Sequence, residues 1–235
     1  MAHNAMPLMV KNFLLAIFAF GFITFASAQC PNLQPPCRCA PSIYEPVAII
    51  CENAGSLSNA LQAIEAARDI PIDSLLILDT AVTTIPANAF QDFTILRLVM
   101  NRNTLSQISE NAFNGPLLDS LVELDLTDNQ LGQIPQTGIH QLRNLRKLYL
   151  NRNRITTLSP NTFAQFESRE ILLKLELAGN RLTDEALSDS TVFRPLRSLQ
   201  QLSLETNALT QIPSGALVNQ RETLTNLNLG LNQVC

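Results

Sequence analysis

Tryptophan is absent from this 235-residue chain, histidine occurs twice and glycine only 8 times. With His3 and His140 as the only imidazoles, there is little material for zinc sites or Ser-His-Asp chemistry. Charged residues make up 15% of the chain, low against a usual value of about 25%. The 16 Lys plus Arg face 20 Asp plus Glu, so no basic surface exists for wrapping a nucleic-acid backbone, and nucleic acid is not expected as a partner. The chain lacks G-x-x-x-x-G-K-[ST], G-x-S-x-G, H-E-x-x-H and G-x-G-x-x-G. Phosphate cradles and common nucleophile settings are therefore missing, and no catalytic residue, cofactor or metal ligand is expected. No N-x-[ST] sequon follows residue 28, which leaves the expected surface unshielded by N-glycans.

What is present begins with an address. Phe13 to Phe25 is an uncharged run of 13 residues ending in Ala26-Ser27-Ala28, shorter than the roughly 20 residues a membrane span needs and followed by a small-x-small cleavage signature. Residues 1–28 are read as a signal peptide, cleaved after Ala28. Removing Lys11 leaves 15 basic residues against 20 acidic, a net charge of −5. No second apolar stretch of spanning length follows, so the expected product is secreted into the extracellular space without a membrane span.

Cys30, Cys37, Cys39 and Cys51 fall within 22 residues. In an oxidising compartment such a cluster reads as a disulfide framework with three possible pairings, zinc being the rival. Cys235 has no evident partner. It could stay a free thiol, link to another chain, or open a further framework.

Most of the chain is an internal repeat. Aligned on Asn, the units read Leu121, Leu124, Leu126, Asn129, Leu131, then Leu145, Leu148, Leu150, Asn153, Ile155, then Leu172, Leu175, Leu177, Asn180, Leu182. Asn207 and Asn232 anchor two later units, the last truncated; Asn103 anchors an earlier one, and Thr80 takes the Asn slot in the first. The seven units start at 72, 95, 121, 145, 172, 199 and 224, with spacings of 23, 26, 24, 27, 27 and 25 residues. Apolar residues at the fourth and sixth positions alternate with polar ones, as a short strand with one buried face requires. A buried backbone group without a partner costs on the order of 1–3 kcal/mol, and an Asn amide both donates and accepts. Stacked units therefore predict a structural Asn ladder of Asn103, Asn129, Asn153, Asn180, Asn207 and Asn232, with Thr80 a weaker first rung. The six Phe beyond residue 28 all lie in the return segments, where they fill the space behind the strands. Strands sit about 4.8 Å apart and bulky return segments need roughly 8–10 Å, so the stack curves with its strands inside.

These residues carry a resemblance. LVELDLTDNQLGQIP and TTIPANAF look like the repeat of extracellular leucine-rich-repeat proteins of animals, and the chain looks most like secreted invertebrate members. The resemblance implies an α/β leucine-rich-repeat solenoid, a curved horseshoe with a parallel β-sheet on its concave face. It also implies a cysteine-rich N-terminal cap with Cys30 bonded to Cys39 and Cys37 to Cys51. The expected organisation is a signal peptide at 1–28, the cap plus a short helix at 29–71, and seven repeats at 72–235. The helix is expected to place Leu57, Leu61 and Ile64 on one face, with Asn59 as N-cap and Gln62 three residues later.

Exposed strand positions three, five and seven line up on the concave face, where this family most often binds. The candidate ligand-binding residues are Leu76, Leu78, Arg97, Val99, Asp125, Lys147, Tyr149, Asn151, Arg152, Lys174 and Glu176. Leu76, Leu78 and Val99 form an apolar patch. Interface anchors are enriched in Tyr and Arg, which makes Tyr149 flanked by Arg152 and Lys147 the first choice. The expected function is a non-enzymatic module that binds an extracellular protein or matrix ligand. The alternatives are a non-catalytic subunit of a secreted complex, with Cys235 as a possible disulfide link, and a secreted hydrolase inhibitor hinted at by LGQIP (131–135).

Overall fold

In the computed structural model, which describes residues 30–234, nine strands lie side by side in one sheet. The expected signal peptide and Cys235, with its possible partner, lie outside the described residues. An antiparallel pair opens the sheet, β1 (Cys37–Cys39) against β2 (Ala48–Glu52). All later neighbours are parallel: β3 (Pro71–Leu78), β5 (Thr94–Val99), β7 (Glu123–Asp125), β8 (Lys147–Tyr149), β9 (Lys174–Glu176), β10 (Gln201–Ser203) and β11 (Asn226–Asn228). Between them the chain returns through turns, through β4 (Thr84–Ile85) paired with β6 (Gln107–Ile108), and through short helices α2 (Leu117–Ser120) and α3 (Gln136–Ile139). This is a leucine-rich-repeat solenoid with its parallel sheet on the concave side.

The strand residues facing the return segments build the core. Leu75, Leu98, Leu124, Leu148, Leu175 and Leu202 stack in register and are at most 1% exposed. Behind them Phe90, Phe93, Phe113, Phe163, Phe166 and Phe193 are all buried. Phe90 stacks on Phe113 with ring centroids 5.9 Å apart, and Phe163 on Phe193 at 6.2 Å. Ile139, fully buried, takes the aromatic slot between the two pairs. Gly138 beside it admits close packing, since a Cβ there would stand 2.4 Å from Ile108 Cγ2.

The Asn side chains tie each unit to the one before. Asn153 Nδ2 donates to Leu126 O at 3.0 Å and Leu150 O at 3.1 Å, while its Oδ1 accepts from Leu131 N at 3.0 Å. The same arrangement recurs at Asn103, Asn129, Asn180, Asn207 and Asn232. Thr80 Oγ1 makes two bonds, accepting from Ala54 N at 3.3 Å and donating to Leu78 O at 2.9 Å.

The N-terminal segment departs from the expectation in two ways. The parallel ladder begins one strand early, because β2 pairs with β3 and puts Ile49 beside Leu75 and Cys51 beside Ile77. Helix α1 (Leu57–Ala63) is capped by Ser56, not Asn59: Ser56 Oγ accepts from Asn59 N at 3.1 Å. Asn59 lies inside the first turn and donates its Nδ2 to Ala54 O at 3.1 Å, which ties the helix start to the segment that leads into it. The shift moves the buried face to Leu57, Ala60, Ala63 and Ile64, with Leu61 partly exposed. Disulfides join Cys30 to Cys39 and Cys37 to Cys51, the second linking β1 to β2.

Candidate functional site

Alternation along each strand turns the third, fifth and seventh positions of a unit away from the Leu core, and the parallel register aligns them into rows. The fifth row runs Ile50, Leu76, Val99, Asp125, Tyr149, Glu176, Ser203 and Asn228. The third runs Ala48, Ser74, Arg97, Glu123, Lys147, Lys174, Gln201 and Asn226. Short strands and one register thus bring most of the candidate residues onto a single surface.

Its N-terminal end is apolar. Leu76 and Val99 are half-buried, and Ile50 in β2 extends the same row. Leu78 pairs in register with Glu52 at the row's edge. Beside this end runs the β1–β2 connection, which carries Ile43 and Tyr44 at 87% and 85% exposure. The next residue, Glu45, is ion-paired with Arg97, and Arg97 Nε also donates to Ser74 Oγ at 3.0 Å. Arg97 therefore tethers the connection to the sheet. Ile43, Tyr44 and Ile50 were not among the candidates. The apolar, β-branched VAIIC run (47–51) is a strand signal that could have found Ile50, whereas nothing local marks the exposure of Ile43 and Tyr44.

The middle is charged around one aromatic ring. Lys174 Nζ lies 5.2 Å from the Tyr149 ring centroid and 3.1 Å from Glu176 Oε1. Lys147 Nζ lies 3.1 Å from Glu123 Oε2. The Tyr149 hydroxyl is pushed up to about 12, first by burial and then by the carboxylates of Glu123, Asp125 and Glu176. The neutral phenol, already the form present at physiological pH, thus persists further into the alkaline range. Asp125 accepts from Asn101 Nδ2 at 3.1 Å and from Thr127 N at 2.9 Å. Asn151 Oδ1 accepts from Ala178 N at 2.8 Å and so braces the sheet.

Arg152 is the candidate that the structure moves. It immediately precedes the ladder residue Asn153, in the turn where the chain leaves the sheet, and has φ 49°. Its Nη2 bonds Asp128 Oδ2 at 2.7 Å, so the guanidinium sits on the rim and not beside Tyr149. Asp79, Arg102, Asp128 and Arg152 occupy equivalent corners, all with positive φ. They form a rim row of alternating charge, with Arg102 also bonded to Asp79 at 2.7 Å. The next corner is Gly179, φ 65°, where a Cβ would meet Arg152 Cγ at 3.0 Å. Glycine there accommodates both the left-handed backbone and the Arg152 stem.

Elsewhere, His140 is half-exposed, its Nδ1 3.0 Å from Thr137 O. Gly132 of LGQIP faces open space, a Cβ there meeting nothing within 4 Å. Among the described residues no group of three or more His, Cys, Asp or Glu could hold a metal ion, and no helix is long and apolar enough to cross a membrane.

The leucine-rich-repeat family model matches residues 119–182, the units around Asn129, Asn153 and Asn180. Keratocan of Bos taurus is 31% identical over 208 residues, which is 87% of this chain and 53% of keratocan. Human lumican is 29% identical over 198 residues, 80% of this chain and 51% of lumican. Residues 119–182 belong to the leucine-rich-repeat family, and the wider likeness to keratocan and lumican supports an animal extracellular leucine-rich-repeat protein. Among solved structures, a leucine-rich-repeat protein of Leptospira interrogans superposes with a TM-score of 0.57 at 30% identity, over 68% of this chain and 38% of that one. The chain spans about half the length of the keratocan and lumican sequences it matches. The two cap disulfides are of the kind that persist in an oxidising, extracellular setting.

Proposed function

We propose that this leucine-rich-repeat protein is a non-enzymatic, matrix-associated module that recognises a protein partner through its concave face. One observation carries the reading: the Tyr149 ring stands in the middle of the free sheet face, covered on one side by Lys174 and in register with Asp125 and Glu176. An aromatic anchor among charges, next to a half-buried apolar row, has the makeup of an interface centre. The likeness to keratocan and lumican supports the matrix setting.

Capture from extracellular medium tests it. Immobilised wild-type protein is compared with the double variant Tyr149→Ser, Lys147→Ser and with Thr157→Ala, which alters an exposed residue beyond the sheet. The reading expects the double variant to lose specific capture by about tenfold or more while T157A retains it. Equal capture by all three would move the site off the concave face.

A further inference from the structure

Strands β9, β10 and β11 enclose a small recess on the sheet face, about 150 Å³ in volume. Ser203 lies on its floor, with Glu176 beside it in β9 and Asn228 beside it in β11. The residue is 5% exposed and its Oγ has no hydrogen-bond partner. Asn101 Oδ1 is also buried on this face without a partner, but its Nδ2 is held by Asp125, whereas the Ser203 side chain makes no hydrogen bond at all, so its hidden hydroxyl calls for a ligand group.

The walls say which kind. Glu176 uses Oε1 on Lys174 at 3.1 Å, and Glu205 uses Oε2 on the Asn228 amide at 2.8 Å. One oxygen of each carboxylate therefore remains open. Asn228 Oδ1 accepts from Gly230 N at 3.0 Å, which keeps the Nδ2 of the same side chain pointed at Glu205. Two carboxylates against the single ammonium of Lys174 leave one negative charge in excess. The open carboxylate oxygens are acceptors and the Gln201 and Asn226 amides at the rim can donate or accept, around a volume too small for a segment of chain.

We propose that this recess takes one arginine side chain of the protein partner, its guanidinium bridging Glu176 and Glu205 and donating to Ser203 Oγ. Guanidinium is planar, carries five donors and no acceptor, and is more weakly hydrated than an ammonium. It matches a site of open carboxylate oxygens over a buried hydroxyl better than lysine, which concentrates its charge on one strongly hydrated atom. The inference rests on the concave-face reading only for the partner being a protein, and it names the chemistry that partner presents.

Amide NMR of the whole secreted protein, titrated with N-acetyl-arginine amide, N-acetyl-lysine amide, N-acetyl-citrulline amide and lactose, decides the matter. Citrulline keeps the shape of arginine without its charge. Saturable shifts centred on Ser203, Glu205 and Asn228 are expected with the arginine probe, about tenfold tighter than with citrulline and tighter than with lysine. Glu205→Gln, whose fold is checked by circular dichroism, is expected to abolish that preference. Equal response to citrulline, a response to lactose alone, shifts centred elsewhere, or no shifts would each overturn the proposal. The outcome is separable from the broader reading. Loss of capture by the Tyr149, Lys147 variant alongside an unresponsive recess overturns only the arginine site, whereas unchanged capture alongside a responsive recess overturns only the concave-face reading.

Discussion

Lys174 lies over the ring of Tyr149, its ammonium 5.2 Å from the ring centroid and 3.1 Å from Glu176 Oε1. The residues come from adjacent units and meet because β8 and β9 share one register. The pair places a cation on the ring face, where the aromatic quadrupole is negative, within a group of carboxylates.

That setting predicts an alkaline instability. Burial and the nearby carboxylates raise the Tyr149 hydroxyl from 10.0 to about 12, so between these values the folded chain holds a proton that the unfolded chain has released. Stability carried by the neutral phenol is complete below pH 10 and is lost as pH rises toward 12. Thermal unfolding followed across this window is expected to show a steeper fall in Tm for the wild type than for Tyr149→Phe. Parallel curves would contradict it.

The ladder predicts unequal costs for its rungs. Asn153→Ala strands the N–H of Leu131 and weakens the satisfaction of Leu126 O and Leu150 O, at about 1–3 kcal/mol for each buried group left unpaired. A total near 3 kcal/mol is expected in urea unfolding, with an unchanged m-value. Thr80→Ala removes two bonds from a hydroxyl and is expected to cost about 1 kcal/mol. Equal costs at the two positions would show that the amide is not what binds unit to unit.

The rim charges predict a small effect with a definite sign. Hydrogen bonding to Arg152 holds the Asp128 carboxyl below its ordinary 3.8. The ion pair therefore contributes above that value, and its contribution disappears as pH falls through the lower, folded-state one. Because Arg152 is 63% exposed, Asp128→Asn is expected to change stability by less than about 1 kcal/mol. Carboxyl NMR titration should find Asp128 ionising below 3.8 in the wild type and nearer 3.8 in Arg152→Ala.

Much of the solenoid was legible because its physics repeats. Leu124, Leu148 and Leu175 recur at one offset from an Asn, and that offset dictates both the buried row and the outward rows beside it. What was not legible broke the repeat or depended on a side chain's partner. β2 carries an apolar strand run but has Ala54 in the ladder slot, so it read as cap and not as the first parallel rung. Ser56 and Asn59 are both good N-caps, and only packing of Leu57 and Ala60 chooses between them. Arg152 has the composition of a hot spot, yet the turn that precedes Asn153 turns it to Asp128. The recess around Ser203 is invisible in sequence, since a serine at an outward strand position reads as solvated until its neighbours Glu176, Glu205 and Asn228 close over it.

Photo-cross-linking places the partner most directly. A benzoylphenylalanine is introduced either at Gln201, exposed on the sheet face, or at Thr157, exposed beyond it, and each protein is irradiated in extracellular medium. The account predicts a discrete adduct with a protein from position 201 and none from 157. Adducts from 157 alone, or from neither position, would contradict it.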